Sequence, residues 1–137
     1  NTVKARQDHS IELLTEGMKK LGLLKGKTSD LIKKKAYMKY YMHGVGHYLG
    51  LDVHDAGRYF TDQQARRSKP FAPGMVLTVE PGLYIPHDDR PAPAKYRGIG
   101  ISIEDDVLVT KDGNRNMTAK VTKDPDEIEA IMRGSKR

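Results

Sequence analysis

The sequence predicts an α+β domain in which helices come first, strands follow and a helix closes the chain. Three observations carry that expectation. Apolar residues recur at helical spacing in the first third, and two aliphatic runs with strand alternation fill the middle. Near the end, "DPDEIEAIM" bears a helix-start signature. With 137 residues, 37% of them hydrophobic, the chain is long enough for one domain with a core.

Ile11, Leu14, Met18 and Leu21 share one helical face, with Ser10 as the expected N-cap and Gly22 as the stop. A second short helix is expected from Thr28 or Ser29 through "DLIKKKAY". The stretch "YYMHGVGHYLGLDVHD", residues 40–55, then holds three of the five histidines, and its Gly44 and Gly46 argue against helix. "GRYFTDQQARRSKPFAPG" reads as a surface loop. In "GMVLTVEPGLYI" the aliphatic run ends at Glu80, because Pro81-Gly82 forbids helix and bends or ends a strand. "PHDDRPAPAKYR" is a proline-rich loop, and "GIGISIEDDVLVT" a strand with Ile99, Ile101 and Ile103 on one face. "KDGNRN" should turn the chain into a last short strand near 117–121. A helix then follows, capped by Asp124, with Pro125 in its first turn and Glu127 closing a capping box.

Composition excludes several classes. Without cysteine there are neither disulfides nor thiolate metal sites, and the chain leans towards a cytoplasmic setting. No apolar run approaches the roughly 20 residues of a membrane helix. The net charge of +6 comes from short runs, "KKK", "ARR" and "RGSKR", that are not interleaved with aromatics; they read as solvated faces rather than a nucleic-acid surface. The chain starts at Asn1, as an interior or C-terminal piece of a longer polypeptide would.

The residues that carry chemistry emerge from strand alternation. Thr78 and Glu80 lie opposite Leu77 and Val79, while Ser102 and Glu104 lie opposite the isoleucines, so each strand presents a hydroxyl-x-carboxylate pair. Alternation alone leaves two readings open. Both glutamates face solvent on a half-exposed sheet, or neighbouring strands bring them together, where a proton or cation must separate them. The clustered histidines favour the cation: one imidazole and two carboxylates suit Mn²⁺, Co²⁺, Mg²⁺ or Fe²⁺, and also Zn²⁺.

The motifs "HGVGHYLGLDVHDAG", "APGMVLTVEPGLYIP" and "GIGISIEDDVLVT" together resemble the pita-bread metallopeptidases, specifically the Xaa-Pro aminopeptidase and prolidase branch. The resemblance implies the C-terminal half of a pita-bread fold, an antiparallel sheet flanked by helices, over residues 1–137. It implies His47, Glu80 and Glu104 as ligands of two divalent ions (manganese first, then cobalt, zinc, iron or magnesium). Glu80 would also handle the proton of the attacking water, and Glu104 would bridge the metals. His54 would hold substrate and steady the tetrahedral intermediate, with His43 an additional active-site histidine. The implied substrate is a peptide with proline in second position, cut after its N-terminal residue by an enzyme that forms homo-oligomers. Neither nucleic acid nor membrane is an expected partner.

Methionine aminopeptidases share the glycine–histidine pattern but lack the partner at His43 and the "EPGLYIP" wording. A prolidase-type dipeptidase and a non-catalytic pita-bread binding module compete with the aminopeptidase. The chain also departs from the family pattern. Two aspartate ligands expected upstream of the histidine segment have no counterpart, so the isolated stretch is expected to be inactive. Ser102 stands where many relatives carry arginine, and the stretch 58–71 is longer than usual.

Overall fold

A computed structural model describes residues 1–134. The end of the basic tail, residues 135–137, lies outside the described residues. Helix α1 runs from Val3 to Lys20, eight residues earlier than the apolar period suggests. Thr2, not Ser10, is the N-cap, and its side chain accepts the Ala5 N–H at 3.1 Å. The early turns are polar because they dock through hydrogen bonds rather than an apolar stripe. At the other end Gly22 takes φ +75°, and the N–H groups of Gly22 and Leu23 donate to Lys19 and Met18 at 3.0 and 2.8 Å. This paired closure satisfies two terminal carbonyls and sets Leu23 beside Met18 in the core.

Helix α2, Thr28–Lys33, is shorter than expected; Lys35 at φ +54° breaks it, and a 3₁₀ turn, Ala36–Lys39, follows. The break swings Tyr40 and Tyr41, both 1% exposed, into a core shared with Ile11, Met18, Leu23, Ile85 and Ala92. The stretch after the histidine segment, expected as a loop, folds into a small hairpin of β1, Phe60–Asp62, and β2, Arg67–Ser68.

Strands β3, Val76–Val79, and β4, Gly82–Tyr84, flank Glu80-Pro81, as the proline requires. The single strand expected at 98–110 is two: β5, Gly100–Ser102, and β6, Asp105–Val109. β3 pairs antiparallel with β6, with Val79 opposite Asp105. β4 pairs antiparallel with β5, with Gly82 opposite Ser102. Both ladders keep one register, as if a single hairpin were interrupted where Pro81 has no N–H to donate. Extending that register sets Glu80 opposite Glu104. The isoleucine face is not covered: Ile99, Ile101 and Ile103 are 39%, 55% and 47% exposed among the described residues. The last strand, β7, is Asn114–Asn116, within the expected turn rather than after it, because it pairs tightly back onto β6. Helix α3, Pro125–Met132, begins as expected, with Asp124 accepting the N–H groups of Asp126 and Glu127 at 3.0 and 3.1 Å.

Candidate metal centre

The histidine segment is not a helix. Residues 45–49 lie extended along the free edge of β3, opposite β6. Leu49 N–H donates to Val76 O at 3.1 Å, Thr78 N–H to His47 O at 3.0 Å, and Glu80 N–H to Val45 O at 2.8 Å. Gly46 makes this approach feasible, since a Cβ there would lie 2.0 Å from the Thr78 carbonyl oxygen. The buried Thr78 hydroxyl accepts the His47 N–H at 3.0 Å and donates to Glu80 Oε1 at 3.1 Å. One side chain thereby ties the imidazole-bearing backbone to the carboxylate.

His47 Nδ1 lies 2.8 Å from the Tyr48 carbonyl oxygen, which can only accept, so Nδ1 carries the proton. Nε2 faces Glu80 Oε1 at 3.0 Å. In a neutral imidazole that nitrogen offers a lone pair, and a lone pair aimed at a carboxylate is repulsive without a positive species between them. Imidazolium would supply it, and so would a metal ion. The third donor favours the metal: His47, Glu80 and Glu104 each bring a ligand atom, all within 4.8 Å of one another. The first two are part-buried and Glu104 is exposed. An oriented imidazole and two carboxylates fit a divalent cation, and the Tyr48 carbonyl is the outer partner that fixes a ligating histidine's tautomer.

His43, His47, His54 and Glu80 line one open pocket of about 390 Å³ with Tyr84. His43 Nδ1 donates to the Gly44 carbonyl at 2.8 Å, which leaves Nε2 to accept from the Tyr84 hydroxyl at 3.1 Å. The His54 ring stands edge-on to that of His47, with centroids 4.3 Å apart. All five sequence-nominated residues therefore meet in one region. His9 and His87 are exposed elsewhere, on α1 and in the proline-rich loop. Ser102 is exposed on β5 opposite Gly82.

Sequence reasoning missed Arg6 and Gln7. Arg6 Nη1 donates to Thr78 O at 2.8 Å and Nη2 to Gly46 O at 3.2 Å, while Gln7 Oε1 accepts the Val45 N–H at 2.6 Å. Burial lowers the Arg6 pKa, against the opposing influence of nearby tyrosines and Glu80. A polar first helical turn gives no sign in sequence that it faces inward.

The model of metallopeptidase family M24 matches residues 1–111. Xaa-Pro aminopeptidase of Escherichia coli (strain K12) is 53% identical over 122 residues, covering 89% of this chain and 26% of that protein. Xaa-Pro aminopeptidase 3 of Homo sapiens is 46% identical over 122 residues, 88% of this chain and 22% of its own length. The chain thus spans about a quarter of the length of these curated relatives. Among solved structures, E. coli aminopeptidase P with the inhibitor Pro-Leu superposes with a TM-score of 0.79 at 45% identity, over 97% of this chain and 33% of that one. The zinc-substituted enzyme in complex with product gives 0.80 at 44% identity, over 98% and 33%. The α+β arrangement of antiparallel strand pairs and helices is therefore that of the pita-bread fold over the compared stretch. By sequence match across most of its length and by fold, this chain belongs to metallopeptidase family M24.

Proposed function

We propose that the chain is the C-terminal part of a catalytic unit that hydrolyses the peptide bond between an N-terminal residue and a following proline. The observation that carries this reading is the convergence of His47 Nε2 with carboxylate oxygens of Glu80 and Glu104 within 4.8 Å. Three donors leave a divalent ion short of its usual four to six ligands. The remaining ligands are assigned to polypeptide outside 1–137, in keeping with the quarter of each relative's length that this stretch covers. The uncovered isoleucine row is likewise a surface for further chain to pack against.

In this reading His47, Glu80 and Glu104 hold two divalent ions, with manganese the first choice for an oxygen-rich set. Bound metal would lower the pKa of water and polarise the scissile carbonyl. Glu80, held by Thr78, accepts the proton of the attacking water and returns it to the leaving proline nitrogen. His54, exposed beside His47, donates to the substrate carbonyl side, and His43, its tautomer set by Gly44, orients the substrate. Xaa-Pro specificity is supported by the names of the relatives and by Pro-Leu as inhibitor of the E. coli enzyme. A homo-oligomer in the cytoplasm completes the proposal; no helix among the described residues is long and apolar enough to cross a membrane.

The test is metal analysis together with Xaa-Pro peptide hydrolysis by the complete polypeptide. The expected result is proline-dependent cleavage, lost on chelation and restored by Mn²⁺, with none from isolated 1–137. Cleavage by the isolated stretch would refute the divided site; a complete, metal-loaded protein that leaves Xaa-Pro peptides intact would refute the function.

A further inference from the structure

We infer that Arg6 is a positioning residue for the metal centre: its guanidinium holds the two ligand-bearing segments at the spacing a divalent ion needs. The inference rests on the peptidase reading of the same site. His47 and Glu80 lie on different stretches of chain, and their relative placement depends on how residues 45–47 sit against β3. The backbone bonds along that edge set the register, and the Gly46 and Thr78 carbonyls are left for a side chain to bind. Arg6 takes both, Thr78 O at 2.8 Å through Nη1 and Gly46 O at 3.2 Å through Nη2. One of these carbonyls belongs to the residue preceding His47. The other belongs to Thr78, whose hydroxyl binds both the His47 amide and the Glu80 carboxylate.

The guanidinium's planar, pre-organised fork lets two of its nitrogens serve the two carbonyls at once. The base of the fork is fixed, because Arg6 sits on α1, whose Ile11 and Met18 are anchored in the core. Gln7, the next residue on the helix, adds a third bond to the same edge by accepting the Val45 N–H at 2.6 Å. Among the described residues Arg6 Nε is buried without a hydrogen-bond partner, so the side chain's bonds to the two carbonyls come from Nη1 and Nη2.

Charge and positioning make opposite forecasts. Arg6 is a cation close enough for its charge to act on Glu80. If charge were all that mattered, neutralising it would strengthen the binding of a metal cation. If Arg6 sets the ligand spacing, losing it weakens binding. The experiment is a calorimetric Mn²⁺ titration of the metal-free complete polypeptide and of its Arg6→Met and Arg6→Lys variants, with circular dichroism and thermal unfolding of each metal-free form. Arg6→Met is expected to fold and to bind Mn²⁺ about 10–100-fold more weakly, the usual range for loss of an outer partner of a ligand. Arg6→Lys, which keeps the charge but replaces the rigid fork with a single flexible ammonium, should fall between. At saturating Mn²⁺ the turnover of both should recover most of its value. Wild-type or tighter Mn²⁺ affinity in a folded Arg6→Met overturns the inference and leaves the peptidase reading intact. If Arg6→Met does not fold, unaltered affinity in Arg6→Lys overturns it equally. A wild-type protein that binds Mn²⁺ yet cleaves no Xaa-Pro peptide removes only the peptidase reading, and one that binds no Mn²⁺ removes both.

Discussion

At the scale of single residues, the centre depends on pairs of atoms whose roles are fixed by what their neighbours can accept. The Tyr48 carbonyl forces the His47 proton onto Nδ1, and the Thr78 hydroxyl, which accepts from one side and donates to the other, holds Glu80 beside the freed Nε2. Glu80→Gln in the complete polypeptide keeps the shape but removes the carboxylate proposed to accept the proton of the attacking water. Its kcat should fall by about 10²–10⁴-fold, with the thermal unfolding of the metal-free protein nearly unchanged; steady-state kinetics beside a melting curve check both halves. Gly46→Ala acts through space alone. A methyl 2.0 Å from the Thr78 carbonyl must push the histidine edge off β3, at a cost of about 1–3 kcal/mol in denaturant unfolding and with weaker metal binding. The two glutamates can be nominated from strand alternation and the histidines as a cluster, whereas the role of each is implied only by the family resemblance. Arg6 cannot be nominated, since its role lies in two backbone carbonyls that only the folded chain brings near it.

At the scale of elements, punctuation by glycine and proline is legible in the sequence, whereas polar docking is not. Gly22 ends α1 where expected, because only a residue tolerant of φ +75° closes the helix there. Gly22→Ala should therefore cost about 1–2 kcal/mol, seen as a lower midpoint in urea unfolding. The start of the same helix is hidden: an apolar period marks a helix only where it meets a core, and the first turns of α1 meet the backbone of the histidine edge and β3 instead. The hairpin of β1 and β2 escapes notice for a similar reason, since residues 60–68 lack an aliphatic run. The division of 98–110 into β5 and β6 is equally illegible from its own sequence, because the cause, Pro81, lies on the partner strand. That interruption has a consequence for the site. It places Glu80 and Glu104 opposite each other where the ladder is broken, and so leaves their side chains free of a regular sheet surface.

At the scale of the whole molecule, an ion pair outside the candidate metal centre contributes to behaviour in acid. Asp89 is buried and accepts from Lys39 Nζ at 2.7 Å and from the Tyr40 hydroxyl at 2.6 Å, joining the proline-rich loop to the core tyrosines. The Lys39 bond first, and the Tyr40 bond second, hold the Asp89 carboxyl below the ordinary aspartate range. A depressed carboxylate stabilises the fold above its unfolded pKa and loses that contribution as pH falls through the folded value. Asp89→Asn should therefore be less stable at neutral pH and show a shallower acid-side decline, measured by denaturant unfolding from pH 7 downwards. The fold class is readable at this scale from the order of elements; that the site falls short of ligands is readable only through the family resemblance, which implies two aspartates that 1–137 does not supply. The central claim is that His47, Glu80 and Glu104 share a divalent metal. Anomalous diffraction at the manganese edge from Mn²⁺-loaded crystals of the complete polypeptide tests it most directly. A peak bonded to His47 Nε2 and to both carboxylates is the predicted result, and Mn²⁺ bound elsewhere, with His47 paired to Glu80 alone, would contradict it.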